Sequence, residues 1–257
     1  MNKLDDRRGL LDHVYGPGPL VREFTLTPLN HHLLASNVEW FYEASCAYPL
    51  KNFMTPNGAL KPKMETSHIY EAFFAVLGLA LFYPLKLEEH FSYASLPVIR
   101  LVTGTETLES FERPYATSKL HSEFWVGQTF DLNVIIPLSG DAAHTRVEFF
   151  EPLTIKAGFE TVKADYADGL SFCGGLSKIP VEFQCGSIYV QDNYVLHRTV
   201  RGGGRARFSV DFGLLYKGRE PGAHNPETIY LPMEKWLAAD LSGVTFPSIN
   251  DENFRLQ

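Results

Sequence analysis

Residues 120–128, LHSEFWVGQ, place a histidine, His121, two positions before a carboxylate, Glu123. In an extended chain side chains alternate between faces, so residues i and i+2 point the same way and can hold one ion between them. The pair alone is not diagnostic, because nine histidines and thirty acids in 257 residues produce about one such pair by chance. A second cluster lies further along, in LHRTVRGGGRARFSVDF, where His197 is followed ten residues later by Arg207 and then by Ser209. Two histidines and one carboxylate leave three positions open on a metal, the facial arrangement that suits non-haem Fe(II). A 2-oxo acid fills two of them through its carboxylate and keto oxygen, and the third is left for dioxygen. The far carboxylate of a dicarboxylic 2-oxo acid asks for a planar bidentate donor, which arginine is and lysine is not. A serine two residues on adds a hydrogen bond.

Between the two cluster residues, strand-like runs flank Gly202, Gly203 and Gly204, which accept the positive φ of a tight reversal. A hairpin folded there sets His197 nearly opposite Arg207, with Ser209 on the face of Arg207. A register different by one or two residues would bring Arg201 or Arg205 to the anion instead; the serine after Arg207, and RFSVDF as the returning strand, favour Arg207. Asn133, on the strand after the first motif, is either a donor to the 2-oxo acid or a plain inward-facing polar residue. Trp125 shares the face of His121 and Glu123 if the strand continues. It is then a wall of the substrate pocket or a platform for a sugar ring, against the commoner role of aromatic packing. Arg100 is a charge inside the apolar run LPVIRLVTG, costly unless paired, either with a substrate carboxylate or in a structural ion pair. The bland alternative for His121 and His197 is a pair of satisfied barrel histidines, and for Glu123 a solvated strand acid. His31, His32, His68, His90, His144 and His224 lack metal-like spacing and are assigned no chemistry.

These residues need a scaffold. Up to about residue 90 the periodicity is helical: SNVEWFYEASC repeats apolar positions every three or four residues, and TSHIYEAFFAVLGLALF opens with Thr66 and Ser67 as N-cap candidates and stops at Pro84. From about residue 95 short β-rich segments alternate with Gly, Pro and Asp: LPVIRLVTG, FDLNVIIPLSGD, TRVEFFEP, GSIYVQDN, YVLHRTVR and RARFSVDFGLLY. This pattern predicts a mainly β fold, an antiparallel double sheet of the jelly-roll, cupin-like kind, with the N-terminal helices packed on its outside. After Tyr216, KGREPGAHNPE reads as loop and MEKWLAADL as one short helix. The expected organisation is a single domain over 1–257, with helical support over 1–94, the β core over 95–216 and a C-terminal extension over 217–257.

Composition narrows the partners. With 45% apolar, 21% charged and 13% aromatic residues the chain reads as globular, and a net charge of −7 makes a phosphate backbone a poor partner, so no nucleic acid is expected. MNKLDDRRGLLDHVYG has charges where a signal peptide needs its apolar core, and the apolar run Ala72 to Leu85 is shorter than the roughly 20 residues that cross a bilayer. We therefore expect a buried helix there, no membrane and a cytoplasmic location. Cys46, Cys173 and Cys185 fit neither a disulfide framework nor a CxxC metal knot and read as reduced thiols.

Taken together, His121-x-Glu123, the distal His197 and Arg207-x-Ser209 resemble the Fe(II)/2-oxoglutarate-dependent dioxygenase superfamily, specifically its phytanoyl-CoA-dioxygenase-like members. The likeness covers about residues 95 to 216. HSEFWVGQTFDLNVIIPL is further similar to a subgroup that modifies carbohydrates and antibiotic sugars. The resemblance implies a double-stranded β-helix, Fe(II) held by His121, Glu123 and His197, 2-oxoglutarate held by Arg207 and Ser209, and dioxygen as co-reactant. It also implies oxidation of a C–H bond of a small molecule, by hydroxylation or cyclisation, coupled to decarboxylation of 2-oxoglutarate. Most relatives carry aspartate where this chain has Glu123; halogenating relatives carry a small residue there, so Glu123 argues against halogenation. The competing functions are a metal-dependent cupin-type isomerase or lyase and a non-catalytic carbohydrate-binding jelly roll.

Overall fold

The computed structural model describes residues 10–105, 112–222 and 228–250. Thr27 opens the first long helix. Its side chain accepts from the backbone N–H of Asn30, Pro28 takes a first-turn position that needs no N–H, and α1 runs over Pro28–Cys46. It therefore begins well ahead of the periodic run SNVEWFYEASC. The second helix, α2 (Ser67–Leu81), buries Tyr70, Phe73, Phe74, Leu77 and Leu81 at helical spacing and ends before Pro84. Three shorter helices follow: α3 (Leu87–His90), α4 (Tyr166–Leu170) and α5 (Met233–Leu237). Among the described residues no helix is long and apolar enough to cross a membrane.

The larger antiparallel sheet contains β1 (Val21–Thr25), β2 (Ala59–Leu60), β3 (Phe91–Ser95), β4 (Val98–Val102), β5 (Leu132–Gly140), β8 (Ser187–Asp192), β10 (Arg207–Tyr216) and β11 (Tyr230–Pro232). The smaller sheet orders β7 (Cys173–Ile179), β6 (Arg146–Ile155) and β9 (Leu196–Val200), and an isolated bridge joins His121 to His197 at the outer edge of β9. Successive segments cross from one sheet to the other. β4 lies in the larger, the His121 bridge in the smaller, β5 in the larger, β6 and β7 in the smaller, β8 in the larger, β9 in the smaller and β10 in the larger. That winding is the expected double-stranded β-helix.

A period of two assigns the two faces of the larger sheet. Leu132, Val134, Ile136 and Leu138 of β5 and Val210, Phe212 and Leu214 of β10 share one core with Leu34, Val38 and Phe41 of α1 and Phe73 and Phe74 of α2. Each such aromatic or aliphatic side chain contributes roughly 1.5–3 kcal/mol on burial. The alternate residues, Asn133 and Ile135 on β5, Tyr189 and Gln191 on β8, and Arg207, Ser209 and Asp211 on β10, therefore face the smaller sheet. A second core of Ile135, Val147, Phe149, Phe183 and Tyr189 fills part of that interior. Pro137 sits in the middle of β5, where a register shift between Phe208 and Ser209 of β10 relieves the ladder of an N–H that proline lacks.

Several expectations need correction. The N-terminal region is not only helical, since β1, β2 and β3 all join the larger sheet, with Val21 of β1 opposite Gln191 of β8. The C-terminal extension adds β11 beside β3. β7 escaped notice because CGGLSKI is a largely exposed edge strand with two glycines and no apolar alternation. The hairpin about Gly202 to Gly204 does not form. Gly203 and Gly204 do take positive φ, 71° and 68°, but the turn carries the chain from one sheet to the other. β9 satisfies its backbone on β6, and β10 on β5 and β4, so His197 and Arg207 stand on opposite walls instead of along one ladder.

Candidate metal centre

His121 and His197 exchange two backbone hydrogen bonds, His121 N–H to the His197 carbonyl at 3.0 Å and His197 N–H to the His121 carbonyl at 2.9 Å. The extended chain stops there. The Ser122 hydroxyl accepts from the Phe124 N–H at 3.2 Å and donates to the Asn193 carbonyl at 2.6 Å, and a 3-10 turn runs over Glu123–Val126 to Gly127 at φ 76°. Glu123 and His121 thus do not share a strand face, as i, i+2 alternation predicts. The turn folds Glu123 back, setting its Oε1 3.2 Å from Nε2 of His197. One ligand atom from each of His121, Glu123 and His197 lies within 4.8 Å of the others, and among the described residues no other group of three potential ligands does so.

Both rings are held from behind. His121 Nδ1–H donates to the Lys119 carbonyl at 2.8 Å, which leaves Nε2 as the lone-pair nitrogen, and the ring stacks on Tyr166 with centroids 4.2 Å apart and planes at 14°. Nδ1 of His197 lies 3.0 Å from Nε2 of Gln191. Burial, with the neighbouring His197 adding to it, lowers the pKa of His121 to about 3, so this ring is neutral at pH 7. For Glu123 burial pushes the other way, but the hydrogen bond from His197 and the nearby positive charge of Arg100 outweigh it and hold the carboxyl at about 2. A neutral imidazole and an ionised carboxylate are the protonation states that metal ligation needs.

On the facing wall Arg207 is buried. Its Nη1 donates to the Thr145 carbonyl at 2.7 Å, its guanidinium lies 5.0 Å from the Phe183 ring centroid, and its Nε has no hydrogen-bond partner. Among the described residues no carboxylate lies within ion-pair reach of it. Burial draws its pKa down to about 9, which still leaves a cation at pH 7. Of the competing arginines, Arg205 is exposed, and Arg201 donates to the carbonyl and hydroxyl of Thr103. Ser209 and Asn133 are buried on the same interior face as Arg207. Phe183 belongs to the intersheet core with Phe149, the strand partner of His197, which ties the arginine to the histidine cluster through packed rings.

Two other expectations change. Arg100 forms an in-chain ion pair, Nε to Oδ1 of Asp211 at 2.5 Å and Nη2 to Oδ2 at 2.9 Å. Burial opposes its charge, but Asp211 outweighs that and raises its pKa. Trp125 is not a pocket wall. Because the chain turns instead of continuing as a strand, its indole is fully buried, donates from Nε1 to the Phe159 carbonyl at 2.9 Å and packs beside Phe159 at 5.5 Å between centroids. Gln191, Tyr166 and Asp211 were missed. Gln191 carries a readable signal, a lone amide among apolar residues in SIYVQD, whereas Tyr166 and Asp211 reach the site only through tertiary packing. His144 pairs with Asp141 at the surface, His31 contacts the Leu138 carbonyl, and His224 lies outside the described residues.

No protein-family model matches the chain, and no curated protein matches it. Solved structures do. HygX from Streptomyces hygroscopicus, determined with nickel and 2-oxoglutarate bound, is 11% identical with a TM-score of 0.45, over 83% of this chain and 88% of that one. The Kdo hydroxylase KdoO, a non-haem Fe(II) α-ketoglutarate-dependent dioxygenase, is 13% identical with a TM-score of 0.46, over 84% and 86%. SnoK, a non-haem α-ketoglutarate-dependent carbocyclase from nogalamycin biosynthesis, is 10% identical with a TM-score of 0.45, over 90% and 96%. Activity does not transfer at such identities, so this chain's own residues have to carry it.

Proposed function

We propose that the chain is a non-haem Fe(II)- and 2-oxoglutarate-dependent oxygenase that oxidises a C–H bond of a small molecule, by hydroxylation or ring closure. Arg207 carries this reading. A two-histidine, one-carboxylate cluster alone suits many metal enzymes, but a buried guanidinium with no carboxylate partner, on the same interior, asks for an anionic cosubstrate.

In this reading His121, Glu123 and His197 hold the ferrous ion on one side, and Glu123 fills the position that a halide would need. Arg207, with Ser209 two residues further along β10, binds and orients the far carboxylate of 2-oxoglutarate, and Asn133, opposite Gln191 and Gly213, is a donor nearer the histidine end of the same interior. Arg207 has donors unused by the protein, and the fork geometry of guanidinium matches a carboxylate. Bound iron supplies the activation of dioxygen coupled to decarboxylation of the 2-oxo acid. Tyr166 and the Lys119 carbonyl keep the His121 ring in place, and Gln191 meets the other ring. Arg100 and Asp211, paired and partly exposed, offer donors and acceptors suited to hydroxyl groups. With the HSEFWVGQ motif, they support a carbohydrate or glycosylated metabolite as substrate class; Trp125, being buried, does not.

The test is spectroscopic. Anaerobic protein with Fe(II) should develop a weak visible charge-transfer band on addition of 2-oxoglutarate, and Arg207→Ala should weaken it. A cupin-type isomerase would bind metal without the band, and a carbohydrate-binding jelly roll would do neither. Iron binding with no band in the unaltered chain overturns the oxygenase reading.

A further inference from the structure

The two histidines are held by different kinds of group. Behind His121 stands a backbone carbonyl, which can only accept, so Nδ1–H is fixed and the Nε2 lone pair is preset. Behind His197 stands Gln191, which can donate or accept, is buried on β8, and presents Nε2 to Nδ1 at 3.0 Å while its Oε1 has no hydrogen-bond partner.

With the amide N–H donating, Nδ1 of His197 is the lone-pair nitrogen and the ring proton sits on Nε2, which donates to Oε1 of Glu123 at 3.2 Å. An imidazole in that tautomer has no lone pair on Nε2 for a metal. Ligation through Nε2 needs the proton on Nδ1, and two N–H groups would then face each other across the contact to Gln191. Half a turn about the last torsion of Gln191, a broad two-fold rotor, presents Oε1 instead. That oxygen then accepts from Nδ1–H and gains the partner it lacks.

We propose that Gln191 is a positioning residue whose amide turns over when His197 takes up a metal, coupling the tautomer of His197 to occupation of the site. One proton leaves Nε2 and one arrives at Nδ1, so the exchange leaves the number of ring protons unchanged. His121 is thus a permanent ligand and His197 a switched one. The inference rests on the metal reading above and adds a residue and a motion to it.

The experiment uses the full chain, ¹⁵N-labelled, with Zn(II) as a diamagnetic probe and long-range ¹H–¹⁵N spectra of the imidazoles, the His197 signals being assigned by their loss in His197→Ala. The expected result is an Nε2–H tautomer without metal and Nδ1–H with zinc. Gln191→Glu, an acceptor only, should hold Nδ1–H in both states and bind zinc at least about as tightly as the unaltered chain. Gln191→Leu, which can neither donate nor accept, should lose roughly ten- to a hundredfold in zinc affinity with its far-UV spectrum and Tm unchanged. If Gln191→Leu does not fold, the tautomer of His197 in the unaltered chain and in Gln191→Glu still decides. The same tautomer with and without zinc, or equal affinity in Gln191→Leu, overturns this inference alone. Failure of the unaltered chain to bind any divalent ion overturns it together with the metal reading.

Discussion

The backbone of His121 pairs with that of His197 through two hydrogen bonds, and the same pairing brings their imidazole centroids to 4.3 Å. The cluster is therefore assembled by main-chain contacts and does not need a metal to bring its ligands together. His121→Ala and His197→Ala should each lower Fe(II) or Zn(II) affinity by more than roughly a hundredfold, beyond what loss of an outer contact costs, while leaving the fold in place. Titration calorimetry with either ion reads this. Wild-type affinity in either variant would remove that residue from the ligand set.

Arg207 lacks a carboxylate partner, so it should cost the empty protein stability. A buried cation with no ion-pair partner carries a desolvation cost that an apolar side chain of similar length does not. Arg207→Met should hold or raise the Tm of the ligand-free protein and abolish the stabilisation that 2-oxoglutarate confers on the metal-loaded chain. Arg207→Lys should not restore that stabilisation, because an ammonium cannot form the bidentate contact. Thermal melts with and without 2-oxoglutarate distinguish these outcomes; a ligand shift intact in Arg207→Met would mean that another cation holds the anion.

Gly169 of α4 lies against the Trp125 indole, where an added Cβ would collide with ring carbons. Since Trp125 anchors the turn that carries Glu123, Gly169→Ala should destabilise the fold by about 1–3 kcal/mol through overpacking and weaken metal binding as well. Denaturant melts and metal titration on the same variant check both effects. An unchanged Tm would show that the indole can move aside.

Glu148 sits on the outer side of the smaller sheet with Lys178 at 2.7 Å, Arg198 at 2.9 Å and Arg146 at 3.0 Å. Burial raises its pKa, but the hydrogen bonds from Lys178, Arg198 and Arg146 outweigh that and hold it at about 2, down from 4.5. A depressed folded-state pKa gives stability that is present above about 4.5 and is lost as pH falls through about 2. Glu148→Gln should therefore be less stable than the unaltered chain at pH 7, with the difference shrinking between pH 4.5 and 2. Urea melts across that range test it; a difference independent of pH would assign the effect to packing.

Much of this site was legible in the sequence because strand periodicity is. The alternation in FDLNVIIPLSGD and RARFSVDFGLLY separates helix-facing from interior-facing residues, and both strands lie where that alternation puts them. Histidine and glutamate spacing singled out His121, Glu123 and His197, whose side chains do converge. What could not be read were pairings between distant segments. Nothing local says that the turn at Gly203 and Gly204 crosses between sheets, because positive φ serves a hairpin and a crossing equally well. Likewise HSEFWVG has strand-like residues, yet the hydrogen bonds of Ser122 and the burial of Trp125 make it a 3-10 turn. Tertiary contacts decided there.

The winding of β10 has a consequence for how this chain can change over generations. Its even-numbered residues, such as Val210 and Phe212, seal the helices to the sheet, and its odd-numbered ones, Arg207 and Ser209, are buried facing the space between the sheets. Inserting or deleting a single codon there would exchange the two rows, sending a guanidinium into oil and a phenyl ring into the chamber. Descendants can therefore alter this strand letter by letter but not by length.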